Sequence, residues 1–219
     1  NQLYKDQFDC HLVGRSEDEL KKIADKLNYT YSVCDVLKLG FVDNLKKDLE
    51  ETEIQGIAYC IGSIDLKPFK LTKANDFVSS YVLNLVAVTE VIRTFQESLK
   101  NNKGSIVLFS TVAAKKGFAN HSIISPAKAA IEGLTVSLAA EFAPNIRVNC
   151  IAPSLTKSKI AGSVLKNQTI EEAIAKMHPL KRIGEGDDSA NLANFLLTTK
   201  SSWITGQIIG VDGGRSNIS

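Results

Sequence analysis

The chain has 219 residues, of which 44% are hydrophobic and 23% charged. That length and balance support one globular unit with a sizeable core and exclude a disordered or collagen-like chain. Its 26 basic and 24 acidic residues leave a net charge of +2 with lysines and acids interleaved, so nucleic acid is not an expected partner. Cys10, Cys34, Cys60 and Cys150 lie far apart in apolar runs with no C-x-x-C pair. They read as small buried hydrophobes in a reducing cytoplasm rather than as zinc ligands or a redox dithiol. His11, His121 and His178 lack metal-ligand spacing, so no metal site is expected. No apolar run approaches the roughly 18–20 residues that span a bilayer, and nothing resembles a signal peptide.

In chain order, a first strand is expected over residues 8–13. Ser16 and Glu19 then have capping-box spacing for a helix from Glu17 to Leu27. A strand over 30–36, a helix over 41–51 and a strand over 56–61 follow. After Thr72 a long helix carries Val78, Val82, Leu85, Val88, Ile92 and Phe95 on one apolar stripe and ends near Asn101. Next come a strand over 105–110 and an alanine-rich helix over 122–142, with Ser122 as its N-cap and Pro144 as its stop. Strands over 146–152 and 207–211 complete the set. Between the last two, residues 154–183 hold only short helical pieces, 157–165 and 170–177. Such a stretch is too long for an ordinary connection, and it reads as a flap over a binding crevice.

Most of the strand runs are apolar without alternation, as in Ser-Ile-Val-Leu-Phe-Ser at 105–110, which is expected when helices cover both faces of a parallel sheet. Alternation with helices of ten or more residues gives repeated βαβ units. The expected fold is a doubly wound α/β/α sandwich, one domain over residues 1–219.

Residues 104–156 contain G-S-I-V-L-F-S-T-V-A-A, S-P-A-K-A-A-I-E-G-L and I-R-V-N-C-I-A-P-S-L-T. Further motifs are Leu12-Val-Gly-Arg-Ser16, Asp35-Val36, Cys60-Ile-Gly62, Asn84 and I-T-G-Q-I-I-G-V-D-G-G at 204–214. Taken together and in this order, they resemble the short-chain dehydrogenase/reductase family across essentially the whole chain. The resemblance implies a Rossmann-like fold and hydride transfer between a nicotinamide cofactor and a small carbonyl or alcohol. It also implies a homodimer or homotetramer built on the long helix and the alanine-rich helix.

Carried over residue by residue, the resemblance makes Lys128 the lysine that holds the nicotinamide ribose and lowers the proton affinity of a neighbouring acid. Thr111, thirteen residues before position 124, is the hydroxyl that bonds the substrate oxygen, with Ser110 as the fallback. Asn84 supports a proton-relay water. Position 124, where the family has its tyrosine, is Ile124, which can neither donate nor accept a proton. His121, three residues earlier, is a candidate substitute because an imidazole can both donate and accept a proton; an ordinary loop or cap role is the competing account.

On the cofactor side, Arg15 and Ser16 follow the first strand where a basic residue pairs with the 2′-phosphate, favouring NADP(H) over NAD(H). Asp35 matches the adenine contact, with turn capping as its alternative. Cys60, Ile61 and Gly62 replace the family's Asn-Asn-Ala-Gly and keep a backbone contact to the ribose. Pro153-Ser154 replaces the family's Pro-Gly, and Thr156 or Ser158 could reach the carboxamide. The family's first strand and G-x-x-x-G-x-G turn are not present in this sequence, and residues 1–6 resemble the end of the helix that follows them. The expected activity is that of an NADP(H)-dependent oxidoreductase. The alternative is a silent NADP-binding relative acting as regulator or scaffold, since Ile124 removes the proton donor.

Overall fold

The computed structural model describes residues 2–218. After a short helix α1 (Gln2–Lys5), the first strand β1 is His11–Gly14, and helix α2 is Glu17–Leu27. Helix α2 has Glu17, Asp18 and Glu19 in its first turn and Lys26 in its last, charges that match the helix dipole. It closes at Asn28, whose left-handed φ of 55° returns its N–H to the Ala24 carbonyl. The expected capping box does not form: Ser16 makes no side-chain cap bond, and Glu19 pairs with Lys159 instead.

Strand β2 (Thr30–Val33), helix α3 (Phe41–Asp48) and strand β3 (Gly56–Tyr59) follow, each somewhat shorter than its sequence pattern. The long helix is a rod of three parts: α4 (Ala74–Tyr81), a π-helical turn over Val82–Val86 and α5 (Ala87–Asn101). Strand β4 is Ser105–Phe109, helix α6 is Ile124–Phe142 and strand β5 is Arg147–Pro153. Ser122 is not the N-cap of α6, since Ile123 occupies that place and the Ser122 hydroxyl is buried without a partner among the described residues.

In the flap only the second helical piece is an α-helix, α7 (Gln168–Lys176); the first shrinks to a 3₁₀ turn at Ile160–Ser163. Helix α8 (Gly186–Leu197), which the sequence reading left unassigned, is opened by reciprocal capping of Glu185 and Asp188. Strand β6 is Ile208–Val211.

All strand pairs are parallel. Strands β3, β4, β5 and β6 lie side by side in that order, and β1 pairs with β2 as a separate block. The central strands are dry on both faces for a simple reason of period. Ile106, Leu108, Val148 and Cys150 point into one core with Val88, Ile92 and Phe95 of α5 and Ile131, Ala139 and Phe142 of α6. Val107 and Ile151 point into the other core with Ala193 and Leu196 of α8. The result is a parallel sheet flanked by helices, with the carboxyl ends of β3, β4 and β5 opening at one rim.

Two expectations are adjusted. The cysteines are all unpaired, but only Cys34 and Cys150 are buried, and Cys60 is exposed as a residue. The rod Ala74–Asn101 spans 28 residues, long and apolar enough by composition to cross a bilayer. Its α5 half is core, whereas Val78, Val82 and Val86 are 58%, 37% and 44% exposed.

Candidate active site

Three elements converge where β3 and β4 end. Asn84 lies in the π-helical turn of the rod, a local widening that often accompanies function. Its Nδ2 donates to the Ser80 carbonyl at 2.9 Å, while its Oδ1 is buried with no partner among the described residues. A buried amide oxygen without a donor carries a desolvation penalty of about 1–3 kcal/mol, so the position fits a bound water or ligand group. Asparagine in an otherwise apolar helix was the signal for it.

Lys128 comes from the second turn of α6 and is buried, its Nζ donating to the Phe109 carbonyl at 2.9 Å. Burial pulls its pKa down from 10.5 to about 8, opposed by Cys150 and Cys60. Those two thiols are themselves pushed up by burial, Cys60 to about 11 and Cys150 to about 12. Gly62, three residues beyond β3, faces both groups. A Cβ built on it would lie 2.9 Å from Asn84 Oδ1 and 3.0 Å from Lys128 Nζ. The absence of a side chain at position 62 therefore leaves a small cradle between an ammonium and an orphaned carbonyl oxygen. Those features fit a ribose edge and its water.

Thr111 and Ser110 stand at the end of β4. The Thr111 hydroxyl accepts from Ala113 N at 3.3 Å, which leaves its own proton free to donate. Ser110 is buried and donates to Glu132 Oε1 at 2.9 Å, with the Lys128 carbonyl at 3.2 Å. Its hydroxyl is thus committed to structure. Glu132, which the sequence reading passed over, lies one helical turn beyond Lys128 and also meets Lys115 at 3.4 Å. An acid inside the apolar run Ala-Ala-Ile-Glu was the available signal.

Ile124 is buried at the start of α6. His121 is half-buried beside it in sequence, with Nδ1 donating to the Ala119 carbonyl at 2.7 Å and its ring 5.4 Å from Phe118. That hydrogen bond leaves Nε2 as the only ring atom able to exchange a proton with a ligand. Its described contacts include neither Lys128 nor Thr111.

Of the remaining candidates, Arg15 and Ser16 follow β1 and Asp35 follows β2, while Ser154, Thr156 and Ser158 follow β5. Arg15 and Ser16 are exposed after β1, and neither side chain has a hydrogen-bond partner among the described residues, while the Ser16 carbonyl accepts from Leu20 N at 3.0 Å. Asp35 Oδ1 accepts from Leu37 N at 3.1 Å, the turn-capping role. Past Pro153, Ser154 Oγ donates to His178 Nε2 at 2.8 Å, while His178 Nδ1 donates to the Ile174 carbonyl at 2.9 Å. Buried His178 therefore pins the start of the flap to the end of α7, and the serine in place of glycine was its trace in the sequence. Thr156 Oγ1 donates to the Ser154 carbonyl at 3.0 Å, and Ser158 Oγ accepts from Ala161 N at 3.2 Å. A cavity of about 630 Å³ is lined by Ile64, Leu66, Asp76, Ile123, Val164 and Lys166 among others.

A family model described as "Enoyl-(Acyl carrier protein) reductase" matches residues 4–216. "Dehydrogenase/reductase SDR family member 4" of Pongo abelii is 38% identical over 197 residues, covering 87% of this chain and 70% of that protein. The chain belongs to the short-chain dehydrogenase/reductase family. Among other members, a chloroplastic tropinone reductase homolog of Arabidopsis thaliana is 32% identical over 218 residues, covering 95% of this chain and 68% of the other. The fold also matches a solved gluconate 5-dehydrogenase from Burkholderia cenocepacia in complex with NADP and tartrate, with a TM-score of 0.87 and 20% identity. That match covers 95% of this chain and 86% of that one.

Proposed function

We propose that this family member is an NADP(H)-dependent oxidoreductase acting on a small carbonyl or alcohol. The observation that carries the reading is the convergence of Lys128 Nζ and the orphaned Asn84 Oδ1 on the cradle at Gly62. The reading is supported by relatives that are reductases and by an NADP-bound structural neighbour. Bound in this crevice, the nicotinamide supplies the hydride donor or acceptor. Lys128 holds the ribose hydroxyls, Asn84 Oδ1 orders a water, and Gly62 with the backbone of Cys60 and Ile61 lets the sugar approach. Arg15 and Ser16 receive the 2′-phosphate, Asp35 borders the adenine, and Pro153 and Thr156 border the carboxamide.

Thr111 donates its free hydroxyl proton to the substrate oxygen and so stabilises charge that develops there. Proton delivery falls to His121 Nε2, because Ile124 carries no exchangeable proton. The exposed valines of the rod, with Val136 of α6 at 52% exposure, fit a helix face covered by a second copy of the chain. The four unpaired thiols fit a reducing cytoplasm. Neither nucleic acid nor a membrane is part of this reading.

The test is consumption of NADPH with a panel of small ketones and aldehydes. Turnover by the wild type that is abolished in Lys128→Ala is the expected result. Turnover that survives Lys128→Ala would overturn the site assignment. NADPH binding without turnover on the whole panel, with reduction appearing in Ile124→Tyr, would instead establish the silent relative.

A further inference from the structure

The five arginines differ in how they are satisfied. Arg93 pairs with Glu90, and Arg182 binds Asp188 through two contacts at 2.6 and 2.7 Å. Arg147 reaches the carbonyls of Leu196 and Thr198 and the Ser201 hydroxyl, and Arg15 is exposed to water. Arg215 is half-buried, yet its guanidinium has no oxygen acceptor among the described residues. Its cation lies 4.9 Å above the centre of the Phe118 ring, and Nη2 donates to the Met177 sulphur at 3.5 Å, a weak acceptor. Burial pulls its pKa down with no carboxylate opposing.

The backbone that carries this residue is fixed. Past β6, Asp212 accepts from Gly214 N and from Ser216 N, each at 2.9 Å, so both chain neighbours of Arg215 are clamped by one carboxylate. Gly213 and Gly214 hold φ of 60° and 87°, a turn that suits glycine, and Leu180 N donates to the Gly213 carbonyl at 3.1 Å. Lys116 Nζ donates to the Arg215 carbonyl at 2.7 Å. The guanidinium is thus held where three segments meet: the loop from Thr111 to α6, the carboxyl end of the flap helix, and the chain after β6. Phe118, on which it stacks, also contacts His121, whose carbonyl accepts from Ser125 N in the first turn of α6.

We propose that Arg215 is a specificity-determining residue that binds a carboxylate on the substrate, making this protein a reductase of carboxylate-bearing carbonyl compounds. The planar fork offers two parallel N–H donors, and stacking on Phe118 restricts its rotation, so little order remains to be lost on binding. Lys116, on the same loop, adds a second positive charge nearby. The proposal rests on the oxidoreductase reading above and adds to it the charge of the substrate.

A matched pair of probes tests it: 4-formylbenzoate and its uncharged methyl ester, with wild type, Arg215→Ala and Arg215→Lys. Binding is measured by ligand-observed NMR and reduction by NADPH consumption. The wild type should prefer the carboxylate. Arg215→Ala should lose roughly tenfold to a hundredfold in affinity and in KM for the carboxylate alone, the range for breaking a charge-assisted contact, with kcat little changed. Arg215→Lys should recover part of that loss, since it keeps the charge without the fork. Equal losses for acid and ester would show that Arg215 merely staples the chain end and would overturn the proposal. So would a wild type indifferent to the charge, and if it still reduced both probes the reductase reading would stand. A carboxylate preference in binding, lost in Arg215→Ala but without reduction of either probe, would uphold the anion site and overturn the reductase reading.

Discussion

Replacing Lys128 by methionine removes a buried ammonium while keeping most of the side-chain volume, and its effect on stability should depend on pH. In the folded chain the lysine titrates at about 8 against 10.5 in an unfolded one. At 1.36 kcal/mol per factor of ten, folding with the charged lysine costs about 3 kcal/mol at neutral pH, an upper figure because burial relaxes around the charge. The folded pKa is depressed, so the penalty is fully present below about 8 and disappears as pH rises toward 10.5. The variant also leaves the Phe109 carbonyl without its 2.9 Å donor, a loss of about 1 kcal/mol or more. Near pH 7 the variant should therefore be as stable as the wild type or more stable, and that advantage should reverse as pH rises. Urea unfolding of both proteins across this range measures the difference directly. A stability difference that stays constant from neutral to alkaline pH would refute the claim that a buried ammonium lies at the site.

Gly62→Ala should weaken NADPH binding by roughly tenfold or more, because its Cβ would lie within 3.0 Å of both Asn84 and Lys128; unchanged affinity in a fluorescence titration would contradict the cradle. Asp188, held to about 2 chiefly by Arg182, contributes stability that is present above the ordinary carboxylate pKa and is lost as pH falls toward 2. Asp188→Asn should accordingly lower stability at pH 7 and flatten the acid limb of the unfolding profile, as read by circular dichroism. Val86→Asp with Val136→Asp should dissociate an assembly built on the rod and α6, and sedimentation showing no change in mass would count against that face.

What could be read in advance followed from period and chemistry. Apolar runs without alternation announced strands covered on both faces, and Ile106, Val107 and Leu108 turn alternately into two cores. Lys128 and Asn84 stood out because each is polar in an apolar stretch, and both proved buried. Local patterns failed where tertiary contacts compete for the same atoms: Glu19 turns to Lys159 rather than to its helix end. Pairings distant in sequence, such as Ser154 with His178 or Arg215 over Phe118, left only faint marks. A hydroxyl in place of glycine and an arginine after two glycines carry no information about what they meet. Helix α8 was missed because its opening Gly-Asp-Asp-Ser reads as a turn until Glu185 and Asp188 are seen to cap it.

The central claim is that the cleft around Lys128, Asn84 and Gly62 is a working dinucleotide site that prefers the phosphorylated cofactor. The most direct measurement is a fluorescence titration of the protein with NADPH and NADH side by side, repeated on Arg15→Ala. Tighter binding of NADPH, with the difference between the two lost in the variant, is the predicted result. Binding of neither nucleotide would contradict the claim.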